Sequence, residues 1–289
     1  MDNGGIIRRV DAALGAFVGS SDLPPNLREA VEYSLLGGGK RLRPVLAWRC
    51  AEAVGGAGES SLTAGVAVEL VHAFSLVHDD LPALDDDDLR RGRPTLHRHA
   101  GEAMAILAGD AMLAMAYEAV WGDGSLDDRL RVGLARELGE GTRAMIAGQV
   151  YDTLGGLPGD GSDERARLEL IHRNKTGALI RAACRMGAML GGAGPDGMAA
   201  ITRFAEDLGL IFQIVDDLLD VVGCPRTVGK STGKDAEAGK LTYPAVLGVE
   251  GSRREIERLE ADAEAALGPL GAPAAGLVEL SRAMARRDR

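Results

Sequence analysis

Apolar positions along the chain recur at helical spacing, and no stretch alternates for long enough to build a sheet. Residues 6–18 put Ile7, Val10, Leu14 and Phe17 on one side of an amphipathic helix. Pro24-Pro25 opens a second helix through Leu27, Ala30, Val31 and Ser34, and Gly37-Gly38-Gly39 ends it. Apolar helices are predicted over 45–54 and 61–80, separated by GGAGES. Pro82 stops the second, so Asp79 and Asp80 fall in its last turn. Further helices are predicted over 100–120, 128–152, 163–190, 196–222 and 235–249, with a C-terminal pair after 251. No fixed-period repeat and no long linker divides the chain. The expected architecture is all-α, with residues 1–289 as one helical bundle whose sites are built from facing helices.

Composition sharpens this picture. Of 289 residues 46% are hydrophobic but only 3% aromatic, so the core must be mostly Leu, Ala, Val, Ile and Met, a mixture that favours helix. The net charge is −10; setting aside nine aspartates in two motifs brings it to −1, so the acidity is concentrated there. No basic patch points to nucleic acid. Cys50, Cys184 and Cys224 have neither zinc-site nor disulfide-framework spacing. The N-terminus lacks a signal-peptide core, and no continuous run approaches the ~18–20 apolar residues of a membrane span. A soluble, reduced, cytoplasmic protein without a membrane anchor is expected.

The candidate chemistry centres on residues 72–97, HAFSLVHDDLPALDDDDLRRGRPTLH. Asp79, Asp80 and Asp85 to Asp88 place six carboxylates in ten positions, directly before Arg90, Arg91 and Arg93. Carboxylates at this density repel one another until a cation neutralises them, and hard divalent ions prefer such oxygens. Guanidinium groups beside them suit phosphate. A solvated acidic loop is the plainer reading, but the first aspartates emerge from a core helix. A second set, Asp216, Asp217 and Asp220, lies inside the apolar segment LGLIFQIVDDLLDVV, where unpaired carboxylates are costly. Metal plus phosphate ester is therefore the local reading.

Other polar groups fall on apolar helices. Lys40 and Arg43 follow the glycine turn, where cations and free backbone N–H groups suit an anion. His72 shares a helix face with Ser75 and Asp79. Asp110, Gln149 with Asp152, and Lys175 with Thr176 suggest a polar mouth on an apolar bundle. GCPRTVGKS, over 223–231, has five residues where a phosphate-binding loop needs four, and no strand precedes it. An EF-hand fails too, because Leu89 falls where a ligand should stand.

Taken in order, GGGKRLRP, HAFSLVHDDLPALDDDDLRRGRP, GQVYD, KTGAL, FQIVDDLLD and GKSTGKDAEAGKLTYP resemble the trans-isoprenyl diphosphate synthases, the polyprenyl synthetase family, over nearly the whole chain. The first acidic motif reads DDxxxxD and the second DDxxD. The resemblance implies an all-α bundle around a deep apolar cavity, usually homodimeric, that joins isopentenyl diphosphate head-to-tail to an allylic diphosphate. It implies that Asp79, Asp80 and Asp85, with Asp216, Asp217 and Asp220 opposite, hold up to three Mg²⁺ ions (or Mn²⁺) on the allylic diphosphate, Asp152 joining through water or directly. By the same resemblance Lys175, Thr176, Gln213, Lys230, Lys240 and Arg90 are allylic-side contacts. Lys40, Arg43, His72 and Arg91 then match the isopentenyl diphosphate site. Asp79, Asp80, Asp85, Lys175, Asp216, Asp217 and Lys230 would carry the catalysis.

Product length in this family depends on positions four and five before the first aspartate, here Ser75 and Phe74. Phe74 resembles the aromatic stop of bacterial farnesyl diphosphate synthases, which share the two-residue expansion at Pro82-Ala83. Five helical residues span ~7.5 Å, the scale of one or two isoprene units. A C15 product is expected, with geranylgeranyl diphosphate and then geranyl diphosphate as alternatives. A terpene cyclase would replace the second aspartate motif, and a non-catalytic subunit would have degraded ones.

Overall fold

In a computed structural model, which describes residues 1–159, 163–222 and 241–286, the chain runs as helices joined by short turns. They are α1 (Asn3–Ser20), α2 (Pro25–Leu35), α3 (Leu42–Ala53), α4 (Leu62–Asp79), α5 (Leu96–Ala100), α6 (Glu102–Gly122) and α7 (Asp128–Thr153). Then follow α8 (Glu164–His172), α9 (Ala178–Leu190), α10 (Pro195–Val222), α11 (Tyr243–Leu267) and α12 (Ala275–Ala285). Local chemistry starts several of them. Asp2, Asp127 and Asp163 accept backbone N–H groups at the starts of α1, α7 and α8, and Pro25 opens α2. Each such cap stabilises its helix by about 1 kcal/mol.

Two helices organise the interior. Ala64 to Val71, Ala73, Phe74 and Val77 are buried along α4, which packs against α3 and α6. Ile201, Phe204, Leu208, Ile211, Ile214 and Leu218 are buried along α10, which packs against α9 and α11. The α3–α9 contact ties the two halves and depends on a missing side chain. A Cβ on Gly187 would stand 2.1 Å from the Ala47 carbonyl oxygen.

The all-α expectation holds, with three departures. The helix expected over 163–190 is broken by a π-helical turn at Arg173–Gly177. Of the segment expected over 235–249, residues 235–240 lie outside the described residues. The helix begins at Tyr243 and continues to Leu267, kinked at Gly248, whose φ of 69° and ψ of 166° are not helical. A small antiparallel hairpin also appears, β1 (Leu89–Arg90) paired with β2 (Arg93–Pro94). Two-residue strands leave no periodicity to read.

A fourth correction concerns membranes. Residues 58–79 and 102–122 are long and apolar enough to cross a bilayer by length and composition, contrary to the sequence reading. That reading counted uninterrupted apolar runs, and Glu69 interrupts α4. α4 is long and apolar because it is the core helix, mostly buried inside the protein. α6 is different: Ile106, Leu107 and Trp121 on it are exposed.

Candidate active site

The glycine turn between α2 and α3 lets the chain fold back on itself. Gly38 and Gly39 adopt φ of 90° and 143°, and a Cβ on Gly39 would meet the Arg91 guanidinium at 2.9 Å. Arg41 follows at φ 47° and points into the protein, where its guanidinium is held on three sides. Nε donates to Asp11 at 2.7 Å, Nη1 to Glu69 at 2.8 Å and Nη2 to the Leu35 carbonyl at 2.8 Å. Arg43 is half-buried, and its Nε is buried without a hydrogen-bond partner among the described residues. Burial brings its pKa down to about 10 against the opposing charge of Glu69.

Beside this turn lies a cavity lined by Gly37, Arg41, His72, Arg90, Arg91 and Arg93. His72 is held well below the usual imidazole range, first by burial and then by Arg43, Arg91, Arg90 and Arg41. It is neutral at pH 7 within a cationic surround. An anion is what this wall lacks.

The carboxylates stand next to it. Asp79 closes α4 and Asp80 caps it, while the chain loops back so that the Asp85 N–H donates to the Asp79 carbonyl at 2.8 Å. Asp80 is 2% exposed. It accepts two hydrogen bonds from Arg90 Nε, at 2.7 and 2.9 Å, and a third from Nη2. Burial pushes the Asp79 carboxyl up to about 6, with Asp85 and Asp80 adding to the rise while Lys175 and Arg90 oppose it. The group is thus crowded by negative charge and held within the field of Lys175.

Lys175 comes from the π-helical turn, a feature often found where a helix is re-aimed for function. A Cβ on Gly148 would lie 2.1 Å from the Lys175 backbone nitrogen. This close approach brings α7 against the turn, and Lys175 Nζ pairs with Asp152 at 2.6 Å. Both polar atoms of the nearby Gln149 amide are buried without a partner. Thr176 donates to Gln213 at 2.9 Å, Gln213 donates to Asp217 at 3.0 Å, and the Tyr243 N–H donates to Asp217 at 2.9 Å. Asp217 therefore ties α10 to the start of α11, with His172 Nε2 3.5 Å away.

The structure thus brings together Asp79, Asp80, Asp85, Asp152, Lys175 and Arg90 around the end of α4, and His72, Arg43 and Arg91 by the glycine turn. Lys40 lies exposed on that turn, Asp216 is exposed and Asp220 half-buried on α10. Lys230 and Lys240 lie outside the described residues. Asp110 is exposed on α6. Ser75 donates to the His72 carbonyl at 2.9 Å. Phe74 is buried with its ring edge-on to His78, at 5.7 Å between centroids. Among the described residues no three His, Cys, Asp or Glu side chains form a ready-made metal cage. Mg²⁺ needs none, because it takes one or two carboxylates together with substrate phosphate. The sequence reading gave Arg41 and Glu69 no role of their own and named Arg93 only among the arginines that suit phosphate. Glu69 carried a signal: it is a charge in the middle of an apolar helix.

With this geometry in place, comparison with known proteins is direct. The polyprenyl synthetase family model matches residues 24–266. The chain belongs to that family. Among its relatives, Arabidopsis thaliana geranylgeranyl pyrophosphate synthase 11, chloroplastic, is 45% identical over 285 residues, covering 96% of this chain and 79% of that protein. The Arabidopsis heterodimeric geranylgeranyl pyrophosphate synthase large subunit 1, chloroplastic, is 45% identical over 249 residues, covering 83% of this chain and 66% of that protein. Among solved structures, the apo FPP/GFPP synthase of Zymomonas mobilis superposes with a TM-score of 0.85 at 31% identity, covering 98% of this chain and 97% of that one. This polyprenyl synthetase is accordingly a prenyltransferase with an isoprenyl-synthase fold.

Proposed function

We propose that the protein condenses isopentenyl diphosphate head-to-tail with an allylic diphosphate and releases diphosphate. One observation carries the reading: Lys175, from the π-helical turn, acts on Asp79 at the end of α4, beside a cavity walled by Arg41, Arg90, Arg91 and Arg93. Two anion-binding surfaces thus share one mouth, as two diphosphate substrates require.

Asp79 and Asp85 fit a divalent ion, because a cation there would relieve the burial and the repulsion from Asp85 that disfavour the charged Asp79 carboxylate. Mg²⁺, when bound, supplies positive charge to the diphosphate as its allylic C–O bond ionises. Lys175 and Arg90 add fixed donors toward the same oxygens, and Asp152 holds Lys175 in place. Arg91, Arg43 and His72 hold the isopentenyl diphosphate so that its double bond meets the allylic carbon, and much of the catalysis lies in that registration. The apolar interior keeps water from the cation. The departing diphosphate is the base that removes the last proton.

For product length we read C20, geranylgeranyl diphosphate, supported by the names of relatives at 45% identity. Phe74, pinned against His78 in the core, supports the C15 expectation as the second reading. The exposed apolar side chains of α6, together with the family resemblance, support a homodimer formed through that helix; sedimentation would reveal it as a mass twice that of the chain.

The test is product analysis. Purified protein is incubated with Mg²⁺, isopentenyl diphosphate and, separately, C5, C10 and C15 allylic diphosphates, and the dephosphorylated products are sized by chromatography. C20 alcohol from all three primers supports the reading. Farnesol from the first two, without extension of the third, moves the product to C15. No product from any primer overturns prenyl transfer.

A further inference from the structure

Tyr33 and Arg93, which line the cavity, form with His99 a stack to which no step above gives a role. Tyr33, on α2, lies parallel to His99 of α5, with centroids 4.0 Å apart and planes inclined by 6°. The Arg93 guanidinium lies 4.1 Å from the centroid of the same ring. Two groups this close to one ring cannot share a face, so Tyr33 is sandwiched between Arg93 and His99. Its hydroxyl also donates to the Pro94 carbonyl at 2.8 Å. All of these partners belong to the segment that carries Arg90 and Arg91.

That segment needs anchoring. Two-residue strands hold themselves weakly, and Arg91 sits at φ 55°, a conformation that a non-glycine residue keeps only when its surroundings enforce it. Arg90 has its own tether in Asp80. Among the described residues Arg91 has only the Gly38 carbonyl, on the turn that begins four residues after Tyr33. The Tyr33 ring is what joins α2 to the far strand of the hairpin, and Gly37 lets Arg93 lie close, since a Cβ there would meet its Nη1 at 2.8 Å.

We propose that Tyr33 is a positioning residue for isopentenyl diphosphate: the Arg93–Tyr33–His99 sandwich fixes Arg91 and Arg93 over the glycine turn. The inference rests on the functional reading above. It predicts a split between substrates, because the allylic-side groups Lys175, Thr176 and Gln213 stand on elements the sandwich does not touch, and Arg90 is held by Asp80.

The experiment compares Tyr33→Leu, Tyr33→Phe and His99→Ala with the wild type in steady-state kinetics, varying each substrate in turn. Tyr33→Leu is expected to raise KM for isopentenyl diphosphate about tenfold, equivalent to about 1.4 kcal/mol. KM for the allylic diphosphate and kcat should stay within about twofold of wild type. Tyr33→Phe keeps the ring and should retain most of the wild-type KM. His99→Ala, at an exposed position, should give an intermediate rise even if Tyr33→Leu fails to fold. Equal rises in both KM values, or a fall in kcat alone, overturn the proposal. If the wild type turns over no primer, the functional reading fails separately. Calorimetric titration with isopentenyl diphosphate then decides the clamp: weaker binding by Tyr33→Leu supports it, and equal binding or none by the wild type overturns it.

Discussion

Arg41 offers a controlled experiment, because one buried guanidinium bonds two carboxylates in different surroundings. The Arg41 side chain is 3% exposed; Glu69, at 2.8 Å, is 4% exposed, whereas Asp11, at 2.7 Å, is 46% exposed. At an effective dielectric of about 20, opposite charges at the Glu69 distance attract by about 6 kcal/mol, an upper bound from which the desolvation of both partners is subtracted. Removing one member of such a buried pair costs about 3–5 kcal/mol. Glu69→Gln keeps the shape and an acceptor but removes the charge, so about 3 kcal/mol is expected. For a chain of this size that lowers Tm by about 6–12 °C. Asp11→Asn, whose charge water already screens, should cost less than about 1 kcal/mol. Calorimetry of both variants at pH 7.5 and one scan rate makes the comparison. A Glu69→Gln protein within about 1 kcal/mol of wild type, or an Asp11→Asn protein as damaged as it, would refute the reasoning. A second readout follows from Arg43, whose pKa Glu69 supports. Without that charge the cavity is more positive, so inorganic diphosphate should raise Tm more in Glu69→Gln than in wild type.

Lys175→Ala should lower kcat at least about a hundredfold with circular dichroism unchanged; near-normal turnover would remove Lys175 from the allylic side. Phe74→Ala should lengthen the product by at least one isoprene unit while costing about 3–5 kcal/mol of stability, and an unchanged product distribution would place the end of the cavity elsewhere. Asp207, half-buried on α10, has its carboxyl pushed up to about 6 by burial and by Asp262, against Arg173 and Arg258. Its unfolded value is about 3.9, so between roughly pH 4 and 6 the native state binds the extra proton and stability falls as pH rises. Discounted for solvent, Asp207→Asn should be about 1 kcal/mol more stable than wild type at pH 7 and no more stable at pH 4. The same Tm offset at both pH values would refute this.

What was legible in the sequence follows from what charges and periods cost. α1, α2, α4 and α7 were readable because their apolar faces repeat over several turns, and α1, α2 and α7 also start at Asp or Pro. The hairpin and the π-helical turn were not, since each is shorter than any period and exists through tertiary contact: the hairpin on Tyr33 and Gly38, the turn on Gly148. Asp79, Asp80 and Asp217 stood out because carboxylates leaving or interrupting an apolar helix need partners. Asp217 found its partners in Gln213 and the Tyr243 backbone, a structural duty that no motif discloses. Glu69 obeyed the same rule, but its partner Arg41 was hidden inside a basic cluster whose members look alike in sequence.

Those cations are not alike in the fold, and the difference shows which of them have charge to offer a substrate. Arg41 is matched by Glu69 and Asp11, and Arg90 by Asp80; in both, the carboxylates outweigh burial and raise the pKa. Arg91 and Arg43 are both lowered, chiefly by burial, and among the described residues neither has a carboxylate in contact. Arg91 bonds the Gly38 carbonyl and Arg93 lies on the Tyr33 ring, neutral anchors that fix position without cancelling charge. The uncompensated field of the cavity therefore rests on Arg43, Arg91 and Arg93. An arriving diphosphate meets cations already oriented and still unpaired, so little side-chain ordering or breaking of ion pairs opposes its binding. Arg41, equally basic in sequence, serves instead to hold the wall in shape, while Asp80 orients Arg90 beside the allylic side.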